Sequence, residues 1–255
     1  EQPGRYRNNF TSTVDVGEAE DYTRAILSAR RRYPGHDHAI YPAPRESRHI
    51  IGNIRLTLTD QLLFRKWPDV INICFCNNDI KGHSTSDWIK MGLIPPNLEI
   101  EIPFRALIPK GIKGLLIAGK AFSTDHDAMP SIRMQADMEN QGAVCGIAAA
   151  MSALGEITPE KLAVRKLQEE LVRRELLPDE ILSRTIEEYR WNEEKMIFWI
   201  DKLSDKQKLY DYSDMEVSEV RSEPIPIVMV CTAGPDMIPL LKERLKNYDP
   251  ERRLS

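Results

Sequence analysis

The chain has 255 residues, a formal net charge of −4 and 42% apolar residues. This mild charge gives no electrostatic reason to expect nucleic acid as a partner. Since no apolar run reaches about 18 residues, we predict no membrane span. No signal peptide is visible, but a processed start would hide one, so we expect a soluble protein that is either cytoplasmic or exported.

The first predicted element is a helix over residues 15–32, which ends before a Tyr-Pro-Gly sequence. Residues 45–51 and 53–58 are β-prone and predict strands. Thr59 and Asp60 are suited to cap a short helix over residues 61–66. The apolar runs at 70–76 and 99–102 predict two further strands. The region before residue 110 is therefore expected to form an antiparallel sheet.

Two cysteines, Cys74 and Cys76, lie on the predicted strand 70–76, and the period of a strand places them on one face. A metal site there would add Asp79 and His83. No second pair of ligands follows at a characteristic spacing, so two ordinary thiols are favoured. We predict neither a metal site nor a disulfide framework from the four cysteines of the chain.

The most informative stretch covers residues 114–154. Its apolar run at 115–118, bounded by glycines, predicts a buried strand, and a polar loop follows up to Ser131. Apolar residues at three- and four-residue steps then predict a helix that begins near Ser131 to Arg133 and ends near Leu154. The N-terminus of such a helix favours negative charge.

The second half of this helix is rich in small residues, including Gly142 and Gly146. A glycine inside a helix costs about 1 kcal/mol relative to alanine. That cost indicates close packing of the helix against a neighbouring sheet or a ligand.

Beyond Gly155 the pattern is mostly helical. Thr158 is suited to cap a helix whose apolar positions include Val164 and Leu171, and residues 187–202 predict another. The run 224–230 is β-prone, and residues 237–247 predict a last helix. This end resembles a single unit of a HEAT-type helical repeat, which cannot bury its own apolar face.

Three stretches of the chain form motif blocks. The first is RESRHIIG at 45–52, the second is IPFRALIPKG at 102–111, and the third is the stretch 114–154. Together they resemble one family, the FAD-dependent oxidoreductases distantly related to fumarate reductase flavoproteins. The resemblance covers about residues 21–177. Within the third block the family pattern matches Leu115, Leu116, Ala118, Gly119, Ser123, Ala128, Ser131, Arg133, Gly142, Gly146, Ala148, Ala149 and Ala150. Lys120 stands where the family usually has arginine. The positive charge is kept, but the planar guanidinium, which can donate two parallel hydrogen bonds, is lost.

The resemblance implies FAD as cofactor, a small-molecule substrate, and hydride transfer between that substrate and the flavin. It implies cofactor-binding roles for Gly119, Lys120, Ser123, Ser131, Arg133, Met134 and Gly142. It implies catalytic roles on the substrate side for Arg45, His83 and Arg105. The residues alone leave alternatives open: a salt-bridged strand end for Arg45, an exposed loop residue for His83, and a pair with Glu101 for Arg105.

One departure limits these expectations, because the 255 residues contain no G-x-G-x-x-G, the motif that holds the FAD pyrophosphate. We expect that unit in an N-terminal half, in the same or another chain, and weak or no FAD binding without it. The alternative is a non-catalytic binding or structural module that keeps the fold without a bound flavin. A hydrolase is disfavoured, since no G-x-S-x-G is present.

The expected fold class is α+β, related to α/β. Residues 1–110 are predicted to form a substrate-side region with antiparallel strands. Residues 111–177 are predicted to form the C-terminal segment of a Rossmann-type FAD-binding domain. Residues 178–255 are predicted to form a helical tail.

Overall fold

The computed structural model describes residues 18–32, 48–76, 78, 86–90, 94, 98–186, 189–203 and 224–246. Two strands, β1 (Val70–Cys76) and β2 (Leu98–Pro103), pair antiparallel, with Cys74 opposite Ile100 and a register shift between Val70 and Asn72. Both strands were expected from the apolar runs, and the prediction is confirmed. Because helices form most of the remaining regular structure, the fold class is α+β.

The helices follow in chain order as α1 (Ala19–Arg32), α2 (Leu58–Leu62), α3 (Asp87–Lys90), α4 (Gln135–Leu154), α5 (Val164–Arg173), α6 (Glu193–Lys202), α7 (Pro226–Thr232) and α8 (Met237–Lys246). Short 3-10 turns lie at Phe104–Leu107, Met129–Ser131, Pro159–Lys161 and Asp179–Leu182. Within the described part of the chain, no helix has both the length and the apolar character needed to cross a membrane.

The main apolar core lies between the two-stranded sheet and helices α4 and α5. Helix α4 packs on β1, and α5 packs on both α4 and β1. The largest side chains that are fully buried in this core are Phe104, Phe122, Leu56, Leu62, Ile71, Leu98, Ile102, Leu107, Met129, Ile132 and Leu167. Several of them come from irregular segments, so the loops between strands and helices are part of the core.

The short helix α2 begins earlier than the sequence indicated. Thr57, not Thr59, is its N-cap: the Thr57 hydroxyl accepts the backbone N–H of Asp60, and the Asp60 carboxylate accepts the backbone N–H of Thr57. This reciprocal pair satisfies two backbone donors that a helix start leaves unpaired. The predicted bounds of 61–66 are therefore wrong. In place of the strands predicted over 45–51 and 53–58, the described residues form two isolated bridges, Gly52 to Pro109 and Leu56 to Thr124.

The apolar run at 115–118 is not a buried strand. Among the described residues, its backbone is held by a hydrogen bond from the Ile117 N–H to the Leu107 carbonyl at 2.9 Å. Leu115 is 42% exposed and Ala118 is exposed as well. An apolar run bounded by glycines has the composition of a central strand, and within the described residues no neighbouring strands flank it.

The β-prone run 224–230 is mostly helical, since α7 begins at Pro226. Pro226 occupies the first turn of α7, where its missing N–H costs nothing and its fixed φ suits a helix. Helix α7 packs on α6, and α8 joins them around a second apolar cluster that contains Met196, Ile200 and Met237. Tertiary packing has thus overridden the strand preference of the β-branched residues.

Candidate functional site

The three motif blocks meet around Gly52. A Cβ placed on this residue would lie 2.6 Å from the Cβ of Ser123 in the third block and 3.1 Å from the carbonyl oxygen of Ala106 in the second. Backbone bonds join the same blocks: the Ser123 N–H donates to the Ala106 carbonyl at 3.0 Å, and the Lys110 N–H donates to the Ile51 carbonyl at 2.8 Å. Only glycine fits at a backbone approach this close.

The loop between Gly119 and Ser131 has little regular structure, yet its backbone is held along its length. The Ile50 N–H donates to the Ala121 carbonyl at 2.9 Å, and the Leu56 N–H donates to the Ser123 carbonyl at 3.1 Å. A ring nitrogen of His49 lies 3.0 Å from the Phe122 carbonyl. These bonds come from the first motif block and the residues just after it, so that part of the chain fixes the shape of the loop.

Three buried amide side chains hold the same loop from other directions. Gln61 of α2 donates to the Ala128 carbonyl at 2.9 Å, and Asn78 donates to the Asp127 carbonyl at 3.1 Å. Gln141 of α4 accepts the Gly119 N–H at 2.6 Å. Sequence reasoning missed all three amides.

Each of these amides also has one buried polar atom with no hydrogen-bond partner in the described part of the chain: Gln61 Oε1, Asn78 Oδ1 and Gln141 Nε2. Buried polar atoms are usually paired, and exceptions occur where a water molecule or a ligand completes the site. The loop is therefore surrounded by unused hydrogen-bonding capacity.

Helix α4 begins later than predicted. Its first residue is Gln135 and its N-cap is Met134, whereas Ser131 ends a 3-10 turn. The side chains of Ser131 and Arg133 are buried, at 0% and 9% exposure. Gln135 and the next residue are exposed, so the positive end of the helix dipole opens toward solvent beside a buried guanidinium.

A polar contact between β1 and α4 lies just behind this helix start. The Asn72 amide donates to the backbone carbonyl of Asp137 at 3.1 Å, and it accepts from the Asn140 amide at 2.6 Å. Burial raises the pKa of the Asp137 carboxyl, and burial also raises the pKa of the neighbouring Cys74 thiol well above its ordinary value. Cys74 is thus a core thiol, as predicted, and it is not an activated nucleophile.

The predicted cofactor residues separate into an inner and an outer group. Ser123, Ser131 and Arg133 are buried, and Ser123 lies at the meeting point of the motif blocks. Lys120 and Gly142 are exposed, while Gly119 and Met134 are intermediate. Gly119 has a φ of +80°, a left-handed conformation that favours glycine at this turn.

Among the predicted substrate-side residues, the structure describes only Arg105. Its guanidinium donates to both carboxylate oxygens of Asp69, at 2.9 and 3.0 Å, and its backbone N–H donates to the same carboxylate. Of the two alternatives left open for Arg105, the pair with Glu101 is not formed, since the carboxylate of Glu101 is buried against Arg184 and Lys66. Arg105 therefore anchors the second motif block, and its side chain remains 45% exposed.

Arg45 and His83 lie outside the described residues, as does Asp79 of the possible metal set. Among the residues that are described, no group of three or more histidine, cysteine or acidic side chains is placed to hold a metal ion.

The outer face of helix α4 is open. We use this term for its exposed small residues Gly142, Ala143, Gly146, Ala149 and Ala150. A Cβ on Gly142 or Gly146 would meet no atom within 4 Å. A shallow groove beside this face is lined by Ala143, Gly146, Ile147, Arg174 and Leu176. The expected close packing of these glycines is therefore absent within the described chain.

Comparison with known protein families supports the reading of the motif blocks. A model of the family described as FAD dependent oxidoreductase matches residues 8–171, which is more than half of the chain. The chain belongs to the FAD-dependent oxidoreductase family. The match includes all of the first two motif blocks, the whole third block, and helix α5 up to Leu171. Neither the curated proteins nor the solved structures gave a match.

The loop from Gly119 to Ser131, called the fixed loop from here on, is surrounded by residues that are compatible with FAD, the cofactor of this family. An isoalloxazine ring needs hydrogen-bond partners for its polar edge and positive charge near the atoms that become electron-rich. The unpaired amide atoms of Asn78 and Gln141 and the buried guanidinium of Arg133 offer both kinds of group. The described residues of this FAD-dependent oxidoreductase therefore fit the ring side of the cofactor.

Proposed function

We propose that this chain provides the ring-side part of an FAD site and that hydride passes between a small-molecule substrate and the flavin. The observation that carries the proposal is the fixed loop from Gly119 to Ser131. It is held by the first two motif blocks and by three buried amides, although it is neither helix nor strand for most of its length. Catalysis by preorganised dipoles requires such a rigid support.

Bound FAD supplies the redox centre, which exchanges a hydride at N5 of its ring. In this proposal Gly119 and Lys120 approach the ribityl chain or the ring from the exposed end of the loop. Ser131, Arg133 and Met134 hold negative charge at the pyrimidine side, aided by the dipole of α4. Ser123 acts indirectly, because its side chain lies against Gly52 at the junction of the motif blocks, where it positions the loop.

The substrate-side roles of Arg45 and His83 remain proposals from the family resemblance. Arg105 is proposed to act with Asp69 as a rigid pair, in which the carboxylate orients the guanidinium and leaves one side of it accessible. A bidentate arginine held in this way can receive a carboxylate or another polar group of the substrate.

We further propose that the pyrophosphate cradle, a G-x-G-x-x-G unit, lies outside these 255 residues and covers the outer face of α4. Small residues on that face permit a neighbouring backbone to approach closely, and Leu115 is an apolar side chain that such a neighbour would bury. Gly142 would then serve the cofactor through close packing of the two parts.

The direct test is the visible absorbance spectrum of the protein purified at its natural length. We expect a yellow protein with bound FAD whose absorbance bleaches when a hydride-donating substrate is added without oxygen. A colourless protein that takes up no FAD would favour the alternative, a binding or structural module that keeps the fold without the redox role.

A further inference from the structure

Asn78 is the most informative of the three buried amides. It is 6% exposed, and its amide nitrogen donates to two atoms of the fixed loop: the Asp127 carbonyl at 3.1 Å and the Ser131 hydroxyl oxygen at 2.9 Å. Its amide oxygen is buried and has no hydrogen-bond partner among the residues that the structure describes. Asn78 lies two residues after the last residue of β1, whereas the loop it holds lies about fifty residues further along the chain.

The orientation of this amide follows from its partners. The Asp127 carbonyl can only accept a hydrogen bond, so the atom that faces it must be the nitrogen. For the same reason the Ser131 hydroxyl oxygen is an acceptor toward Asn78, and its own proton is free to point elsewhere. Ser131 is fully buried, and none of its hydrogen bonds to the described residues uses that proton.

Among the described residues, the Asn78 amide oxygen is therefore an acceptor without a donor, and the nearby Ser131 hydroxyl proton is a donor without an acceptor. Both groups are buried. An arrangement of this kind is complementary to a ligand edge that carries an N–H beside a carbonyl oxygen. A residue pair with fixed donors and acceptors discriminates strongly against a ligand that lacks one of them, because a buried polar atom is then left unpaired. Ser131 lies three residues before the N-cap of α4, next to buried Arg133.

We infer that Asn78 and Ser131 together recognise the imide edge of the isoalloxazine ring. The Asn78 oxygen accepts the flavin N3–H, and the Ser131 hydroxyl donates to a carbonyl oxygen beside N3. This inference rests on the proposed function and extends it to a residue outside the three motif blocks. Asn78 binds the cofactor here and also positions the loop through Asp127.

The test changes the cofactor first, because that leaves the fold of the protein intact. FAD and N3-methyl-FAD are titrated into whichever form of the protein takes up FAD, the chain alone or the chain with its G-x-G-x-x-G unit. Methylation removes the N–H and places a methyl group against the amide oxygen. We expect the dissociation constant to rise about tenfold or more, the effect of one lost hydrogen bond and an unpaired buried acceptor.

Protein variants then distinguish recognition of the flavin by Asn78 from its structural support of the loop. In Asn78→Ala the preference for FAD over N3-methyl-FAD is expected to fall to within about twofold, because the oxygen that senses N3 is gone. Ser131→Ala is expected to weaken FAD binding about three- to tenfold. Gln61→Met is the matched control, since it also removes a buried amide that holds the loop and has an unpaired oxygen. It should lower the melting temperature and keep the preference for FAD.

The possible results are distinguishable. If FAD binds and methylation at N3 has no effect, the unpaired oxygen holds only a water molecule, and the inference is wrong while the proposed function stands. If Gln61→Met also abolishes the preference, loop positioning explains it and the inference is again wrong. If no form of the protein takes up FAD, both the inference and the proposed function fail.

Discussion

Glycines on the two sides of this molecule have different reasons to be glycine. At Gly52 the chain itself supplies the reason, because an added Cβ would lie 2.6 Å from the Cβ of Ser123. At Gly142 and Gly146 an added Cβ would meet nothing within 4 Å. The first position is explained by packing inside the chain. The other two lower helix stability without any contact in the described residues to compensate.

The glycines therefore distinguish a closed part of the described fold from an open one. The junction of the three motif blocks is closed by backbone bonds and buried side chains. The outer face of α4 and the run 115–118 have the composition of a packed interface and the exposure of a surface. We therefore expect substitutions at the junction to destabilise the chain, and substitutions on the outer face to affect whatever covers it.

Gly52→Ala should have the largest effect. Overpacking against Ser123 and the Ala106 carbonyl is expected to cost about 3 kcal/mol of unfolding free energy, measured by urea denaturation. Gly114→Ala is the control, since this glycine has a φ of +74° and open space around its Cβ position. Its cost should be only about 1 kcal/mol. Equal effects of the two substitutions would show that close packing at Gly52 is not the reason.

Asp69→Asn should have the next largest effect. It leaves the Arg105 guanidinium without the carboxylate that receives two of its donors, and a hydrogen bond to a charged group is worth about 2 kcal/mol. Arg105→Lys keeps the charge and loses the fork, so we expect a smaller but measurable loss of stability in the same denaturation experiment. A neutral result for Asp69→Asn would break the claim that this pair anchors the second motif block.

Gly142→Ala and Gly146→Ala should act in the opposite direction on the chain alone. Each removes a glycine from a helix interior with no clash, which is expected to stabilise by about 1 kcal/mol and to raise the melting temperature by about 2–4 °C. In the protein that also carries the pyrophosphate cradle, the variant with both substitutions should lose FAD faster than wild type. Unchanged FAD retention would show that nothing packs closely on this face.

The smallest expected effect is a pH dependence at the exposed end of α5. Hydrogen bonds from Arg173 and Arg174 lower the pKa of Glu170 from its ordinary value of 4.5 to about 2. Because the folded-state pKa is the lower one, this carboxylate contributes stability above about pH 4.5 that is lost as the pH falls toward 2. The difference in stability between wild type and Glu170→Gln should shrink across that range and be small throughout, since the pair is exposed.

The spacing of apolar residues was sufficient to predict the elements whose packing partners lie within the described chain. The strands β1 and β2 and the helices α1, α4, α5, α6 and α8 lie where apolar spacing placed them, with ends shifted by up to several residues. The run 115–118 was misread because its composition is that of a central strand, whereas the described chain provides no strands beside it. The run 224–230 was misread because packing on α6 decided its conformation.

The candidate site was only partly predictable. The motif blocks indicated the fixed loop and its small residues, since Gly119, Ser123 and Ser131 stand in one continuous pattern. The amides that hold the loop gave no local signal, because Gln61 and Asn78 reach carbonyls 67 and 49 residues away. A polar side chain near an apolar run is ordinary in sequence, and its function becomes visible only when its distant partner is known.

The most direct test of the account measures FAD binding by the 255-residue chain alone and by the same chain with a G-x-G-x-x-G unit supplied. Equilibrium titration followed by flavin fluorescence should give weak or no binding for the chain alone. Together, the two parts should retain one FAD through gel filtration. Tight uptake by the chain alone, or no uptake by the two parts together, would contradict a cofactor site divided between this chain and a second part.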